Sequence, residues 1–211
     1  APVEDDRGKV LHLRSPARRI AVLAPHLAEL AFDAGAGSAV VGAVRGSDYP
    51  PEATRLPVIG DAAGLDLERI LALRPDLVLG WLSGNRASDI ERLEALGLPV
   101  FVSEPRRLRD VPATLRRVGT LAGTRAAAER AAQAFETRLA RLAAPSPAPP
   151  VTVFVEIWHS PLMTVNGAHL ISDVLAACGG RNVFAGMPAL AGSVSAESVL
   201  AADPHLVRST P

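Results

Sequence analysis

The chain has 211 residues, 48% of them hydrophobic and 21% charged, with 22 basic and 22 acidic side chains. That length holds one large core or two small ones, and that apolar fraction excludes a disordered chain. A formal charge of zero argues against a nucleic-acid binder, which carries a basic surplus.

Residues Val3 to Leu13 alternate around Asp5-Asp6-Arg7-Gly8, a turn signal between two short extended runs. Arg19 to Leu23 reads as a buried strand. Pro25 follows, then a helical stretch from Leu27 to Ala34 stopped by Gly35 and Gly37. Ala39 to Val44 is the next strand. Asp66 caps a helix from Leu67 to Leu73, which ends before Pro75. Leu77 to Leu79 is a short strand, Ser88 to Leu96 a helix ended by Gly97, and Val100 to Val102 another strand. Strand and helix alternate, so the sheet should be largely parallel with helices on both faces.

Arg109 to Leu121 reads as helical, with a hinge at Gly123. Thr124 caps a longer helix, Arg125 to Ala144, whose Ala128, Ala131, Phe135, Leu139 and Leu142 recur at spacings of three and four. Such a helix spans roughly 30 Å. The run Pro145-Ser146-Pro147-Ala148-Pro149-Pro150 is stiff and marks a domain boundary. Beyond it come a strand (Val151 to Ile157), a helix (Ala168 to Ala177) closed by Gly179-Gly180, and a helix (Ser195 to Ala202).

Asp66 to Val78 resembles Ser195 to Val207: a capped helix with Glu at the same place, then Pro, then the start of a strand. Any capped helix–turn–strand unit shares part of that pattern. Two equivalent halves flanking a long helix make an α/β protein of two Rossmann-like lobes with a ligand cleft between them. The expected division is an N-terminal lobe over 1–108, connecting helices over 109–144 and a C-terminal lobe over 145–211. The second repeat breaks off soon after its strand begins, so the second lobe reads as incomplete.

Local signals for catalysis are missing. Gly35-Ala36-Gly37 follows a helix instead of a strand and is a helix cap, not a dinucleotide loop. There is no phosphate loop and no nucleophile elbow. His12, His26, His159, His169 and His205 show no metal-ligand spacing, and Cys178, the single cysteine, builds no internal disulfide or thiolate cage. We therefore expect no enzyme, no metal site and no catalytic cofactor; a Rossmann-like nucleotide enzyme is the rival of another class. No apolar run approaches the ~20 residues of a membrane span. A start at Ala1 fits either artificial trimming or signal-peptide cleavage of a secreted protein.

Five stretches in order carry a family resemblance. They are Ala24-Pro25-His26-Leu27-Ala28-Glu29-Leu30; Ser47-Asp48-Tyr49-Pro50-Pro51; Gly64 to Ile70; Arg74-Pro75-Asp76-Leu77-Val78; and Cys178-Gly179-Gly180-Arg181-Asn182-Val183-Phe184. Together they resemble the periplasmic substrate-binding proteins with a long connecting helix, which serve cobalamin, haem and ferric-siderophore importers. The Ser-Asp-Tyr-Pro and Cys-Gly-Gly-x-Asn-x-Phe stretches look most like the cobalamin branch. The resemblance implies a monomeric periplasmic receptor that passes cobalamin or a related corrinoid to the permease of an ABC importer. A haem or ferric-siderophore receptor is the alternative. It also implies a disulfide for Cys178, against the plain reading of a helix-end thiol.

A corrinoid is flat, wide and apolar on its faces, with amides at its rim, so its site wants aromatic faces and a few placed polar groups. Candidate ligand contacts in the first half are Pro25, His26, Tyr49, Asp61, Ala62, Trp81, Ser83 and Asn85. His26 either meets ligand or simply ends a turn and meets water; Trp81 either faces ligand or packs. In the second half they are Trp158, His159, Met163 and Ala191, with core packing the other reading of Trp158. Ala62 and Ala191 stand where the cobalamin branch often carries aromatics. Arg106, Arg107 and Arg109 suit an anionic ligand or a solvated helix start. Glu68 and Glu197 match the family's two acidic knobs that dock on permease arginines; helix-dipole stabilisation is the other role for both.

Overall fold

The computed structural model describes residues 2–61, 63–142 and 149–209. The chain packs as two compact units, Ala1–Glu104 with Val111–Phe135, and Pro105–Asp110 with Glu136–Pro211.

The first unit opens with a hairpin, β1 (Val3–Glu4) and β2 (Val10–Leu11), antiparallel about the Asp5–Gly8 turn. Asp5 fixes that turn, accepting from the amides of Arg7 and Lys9 and from the Arg7 guanidinium. Then come β3 (Ile20–Val22), α1 (Pro25–Asp33), β4 (Val40–Ala43) and the two-residue strands β5 (Gly60–Asp61) and β6 (Gly64–Leu65). They are followed by α2 (Leu67–Ala72), β7 (Leu77–Trp81), α3 (Ala87–Ala95), β8 (Val100–Ser103), α4 (Val111–Ala122) and α5 (Arg125–Leu142). The main sheet runs β4-β3-β7-β8, all parallel. Its strands are apolar on both faces because both are covered. Ile20, Val22, Leu77, Leu79 and Phe101 pack with α1, α4 and the start of α5, while Ala21, Val78, Val100 and Val102 pack with Ile70, Ile90 and Leu93 of α2 and α3.

The second unit contains β9 (Val151–Glu156), β10 (Met163–Val165), α6 (Leu170–Ala177), β11 (Gly180–Asn182), β12 (Ala191–Ser193), α7 (Ala196–Ala202) and β13 (Leu206–Ser209). β9 is the middle strand of a parallel sheet ordered β11-β9-β13. β10 and β12 form a separate antiparallel pair.

The alternation is as expected, as is the β1–β2 pair; the antiparallel pairs β5–β6 and β10–β12 are additional. Two readings are corrected. The stripe on α5 is buried only at Ala128 and Ala132; Ala131, Phe135 and Leu139 are partly exposed and Leu142 is 58% exposed. The strand after the second repeat runs for four residues along β9, longer than expected. Thr124 stands immediately before α5 as expected, its carbonyl accepting from the Ala127 and Ala128 amides, and its hydroxyl donates to the Ala34 carbonyl oxygen at 2.7 Å, tying the start of α5 to the end of α1. The expectations at Ala143 and Ala144 and in the run from Pro145 to Ala148 lie outside the described residues.

Candidate ligand-binding site

In a parallel α/β sheet, binding groups gather where strands end and helices begin. Three such places meet in the first unit. Pro25 opens α1 directly after β3, with Ala24 extended before it. Trp81 ends β7. The loop after β4 carries Ser47, Asp48 and Tyr49, and Pro25 lies close to Gly46 within it.

Trp81 is held from several sides. Its ring stands nearly perpendicular to the His26 imidazole, centroids 5.0 Å apart. Its backbone amide donates to Asn85 Oδ1 at 2.7 Å, and Asn85 Nδ2 donates to the Leu23 carbonyl at 2.9 Å. The amide of Asn85 thus bridges the ends of β3 and β7 and is spent on backbone. Gly84 packs flush on the indole; a Cβ there would overlap the ring. Trp81 is half-buried and packs against the core of the first unit. Ser83 is exposed, and its amide donates to Glu104 Oε2 at 2.9 Å.

Burial pushes the His26 imidazole down to about 4, so it is neutral at pH 7. Its Nε2 is shielded from solvent and has no hydrogen-bond partner among the described residues. In the same helix, burial raises the Glu29 carboxyl, helped by the charges of Asp33 and Asp48.

Tyr49 is 61% exposed and precedes Pro50 and a short 3-10 turn, Pro51–Arg55. A cavity of about 190 Å³ beside this loop is lined by Val44, Arg45, Ser47, Asp48, Ala53 and Leu56 among others. It is smaller than the ~300–1,000 Å³ usual for a drug-sized ligand, so no whole macrocycle enters it. Asp61 caps the β5–β6 turn by accepting from the Ala63 amide at 2.8 Å, and Arg45 lies loosely 3.9 Å from its carboxylate. Ala62 lies outside the described residues.

In the second unit, Trp158 and Met163 are bridged antiparallel, the Met163 amide donating to the Trp158 carbonyl at 2.9 Å. Trp158 is 62% exposed, and its indole N–H donates to the Ser160 carbonyl at 3.0 Å. It is therefore not a core residue, which removes the packing reading. Met163 is half-buried, and Ala191 sits two rungs along the same pair, opposite Val165. His159 points to solvent, its Nδ1 3.0 Å from Glu156 Oε1. Cys178 is exposed and caps α6, with a free thiol.

Glu68 and Glu197 are both exposed and both second in their helices, α2 and α7. Asp66 and Ser195 cap those helices by accepting from the amides of Arg69 and Ser198. Hydrogen bonds from its own backbone amide and from Ser195 hold the Glu197 carboxyl below its usual value. Arg106 and Arg107 donate their backbone amides to Asp110 Oδ2, the expected helix-start pattern. Sequence reasoning missed the His26–Trp81 contact: nothing in the spacing of a loop His and a strand-end Trp signals it.

A periplasmic binding protein family model matches residues 20–208. The chain belongs to the periplasmic binding protein family. Among its relatives is the vitamin B12-binding protein of Pectobacterium carotovorum subsp. carotovorum (strain PC1), 37% identical over 193 residues, covering 90% of this chain and 70% of that one. The crystal structure of the periplasmic vitamin B12 binding protein BtuF of Vibrio cholerae matches with a TM-score of 0.85 and 31% identity, over 92% of this chain and 77% of that one. The periplasmic heme-binding protein RhuT from Roseiflexus sp. RS-1 matches at 0.79 and 29%, over 92% and 76%. Among the described residues of this binding protein, no helix is long and apolar enough to cross a membrane.

Proposed function

We propose that this chain captures cobalamin or a related corrinoid in the periplasm and presents it to the permease of an ABC importer, without altering it chemically. The observation that carries this reading is the similarity to vitamin B12-binding proteins across most of the chain, with 37% identity to that of Pectobacterium carotovorum. The residues are suited to the ligand. A corrin offers broad apolar faces and neutral amides, and the exposed Tyr49 and Trp158, with the half-buried Trp81, offer aromatic faces with polar edges. Met163 adapts to an uneven apolar surface.

Ligand contact is assigned in this proposal to Pro25, Tyr49, Asp61, Trp81 and Ser83 of the first unit, and to Trp158, His159, Met163 and Ala191 of the second. Glu68 and Glu197 are assigned to permease docking. Two exposed carboxylates suit that role, since rim charges set orientation and encounter rate more than affinity.

Calorimetric titration with cyanocobalamin, haemin and a ferric siderophore tests the proposal. Saturable heat with cyanocobalamin is the expected result. Saturable heat with haemin or the siderophore alone assigns the chain to the other branch and overturns it.

A further inference from the structure

We propose that His26 is a positioning residue: its imidazole wedges edge-to-face against Trp81 and fixes the plane in which that indole meets ligand. The inference rests on the corrinoid-binding reading only for its consequence, not for its geometry.

Three observations carry it. First, the two rings cross at 82° with centroids 5.0 Å apart, inside the range where perpendicular aromatic pairs attract. Second, His26 Nε2 is sealed from solvent with no polar partner among the described residues. A side chain that binds ligand through that nitrogen would present it outward. Here the ring is turned into the protein, where its shape and edge are what act. Third, the rest of the indole's surroundings restrict it in the same sense. Gly84 leaves no room beneath the ring, and Asn85 pins the backbone of Trp81 to the end of β3 through Leu23. His26 is the second residue of α1, just past that same strand end, so the strand that anchors the tryptophan backbone also delivers the group that orients its ring.

A platform held this way is already in its bound orientation. Ordering a rotamer-rich side chain on binding costs affinity, and holding it beforehand removes that cost. Burial explains why the wedge is usable: a charged imidazole would not stay in so dry a place, and the ring is neutral at pH 7.

The test uses His26→Ala and His26→Phe. Trp81 emission is read in a Trp158→Phe background, where Trp81 is the sole tryptophan, since the chain has two. Cyanocobalamin affinity is read by calorimetry in the otherwise unchanged chain, and circular dichroism establishes that each variant is folded. His26→Ala is expected to red-shift Trp81 emission, shorten its anisotropy decay and weaken binding by up to about tenfold, the scale of one aromatic pair. His26→Phe keeps the perpendicular ring and should restore both. Loss of affinity in both variants with Trp81 emission unchanged would make His26 a polar ligand contact and overturn the proposal. Unchanged emission in a folded His26→Ala chain overturns it outright. The emission readout needs no ligand, so a chain that binds no corrinoid sinks the functional reading while the wedge is still decided.

Discussion

Arg74 and Asp203 share a backbone conformation that no other non-glycine residue among those described adopts: φ is +47° at the first and +43° at the second, and a proline follows each. Each lies where a capped helix turns into a strand, and each strand joins the first strand of its own parallel sheet. Leu77 pairs with Ile20, and Leu206 with Val153. The residue after each proline also reaches the start of that first strand, through different bonds. Asp76 accepts from the Arg18 and Arg19 amides just before β3, while the His205 amide donates to the Thr152 hydroxyl at the start of β9. The repeated phrase in the sequence is therefore a repeated structural unit, including a strained residue that composition does not reveal.

Left-handed backbone costs an L-residue about 1–2 kcal/mol, and glycine escapes that cost at some expense in chain entropy. Arg74 is exposed, so its replacement leaves the core alone. Arg74→Gly should be neutral or stabilising by up to about 1 kcal/mol. Arg74→Val, β-branched at a positive φ, should destabilise by about 1–2 kcal/mol. Thermal denaturation of the two variants checks the ordering; a stabilising valine would contradict it.

Gly119 of α4 packs directly on Ala128 of α5, and a Cβ there would overlap the alanine methyl. Gly119→Ala should cost about 1–3 kcal/mol, the usual range for overpacking. The double variant with Ala128→Gly should recover part of it. Urea denaturation of the cycle measures the coupling, and simple additivity would show that the two helices do not meet here.

Much of the first unit was legible because its punctuation is strong. Pro25, Gly35, Asp66, Pro75 and Gly97 bracket strands and helices whose apolar runs are continuous, as a sheet covered on both faces requires. The pairs β5–β6 and β10–β12 were not legible: strands of two or three residues carry no periodicity. The stripe on α5 misled because spacing alone does not say how far a partner surface extends. The contact of His26 with Trp81 was not legible, since it depends on two chain segments meeting at neighbouring strand ends.

Acid should expose His26. Its folded value is depressed to about 4 against 6.5 unfolded, so below 6.5 the unfolded chain takes up a proton that the folded chain refuses. Stability is thus retained above pH 6.5 and lost as pH falls towards 4, by about 3 kcal/mol at most. A second limb begins as the pH falls through 4.5, the ordinary Glu94 value, and continues below it. Burial raises Glu94, but hydrogen bonds and charge from Arg7 and Lys9 outweigh it and hold the carboxyl below its usual value. That contribution, present at neutral pH, is lost as Glu94 is protonated. Scanning calorimetry against pH should show the first limb flattened in His26→Phe and the second in Arg7→Leu. Identical profiles for wild type and His26→Phe would contradict the assignment.

Reversing Glu68→Arg and Glu197→Arg should abolish capture by permease-containing vesicles while leaving cyanocobalamin affinity within about twofold, because exposed rim charges act on encounter and orientation. Co-sedimentation and calorimetry on the same preparations separate the two. Parallel loss of both properties would show that the carboxylates support the fold instead of a docking surface.

Equilibrium dialysis of cyanocobalamin against the wild-type chain and a Tyr49→Ala, Trp158→Ala variant decides whether these aromatic faces hold the vitamin. The wild type should retain one vitamin per chain, and the folded variant none at the same concentration. Equal retention by both, or retention of haemin with cyanocobalamin passing freely, would contradict it.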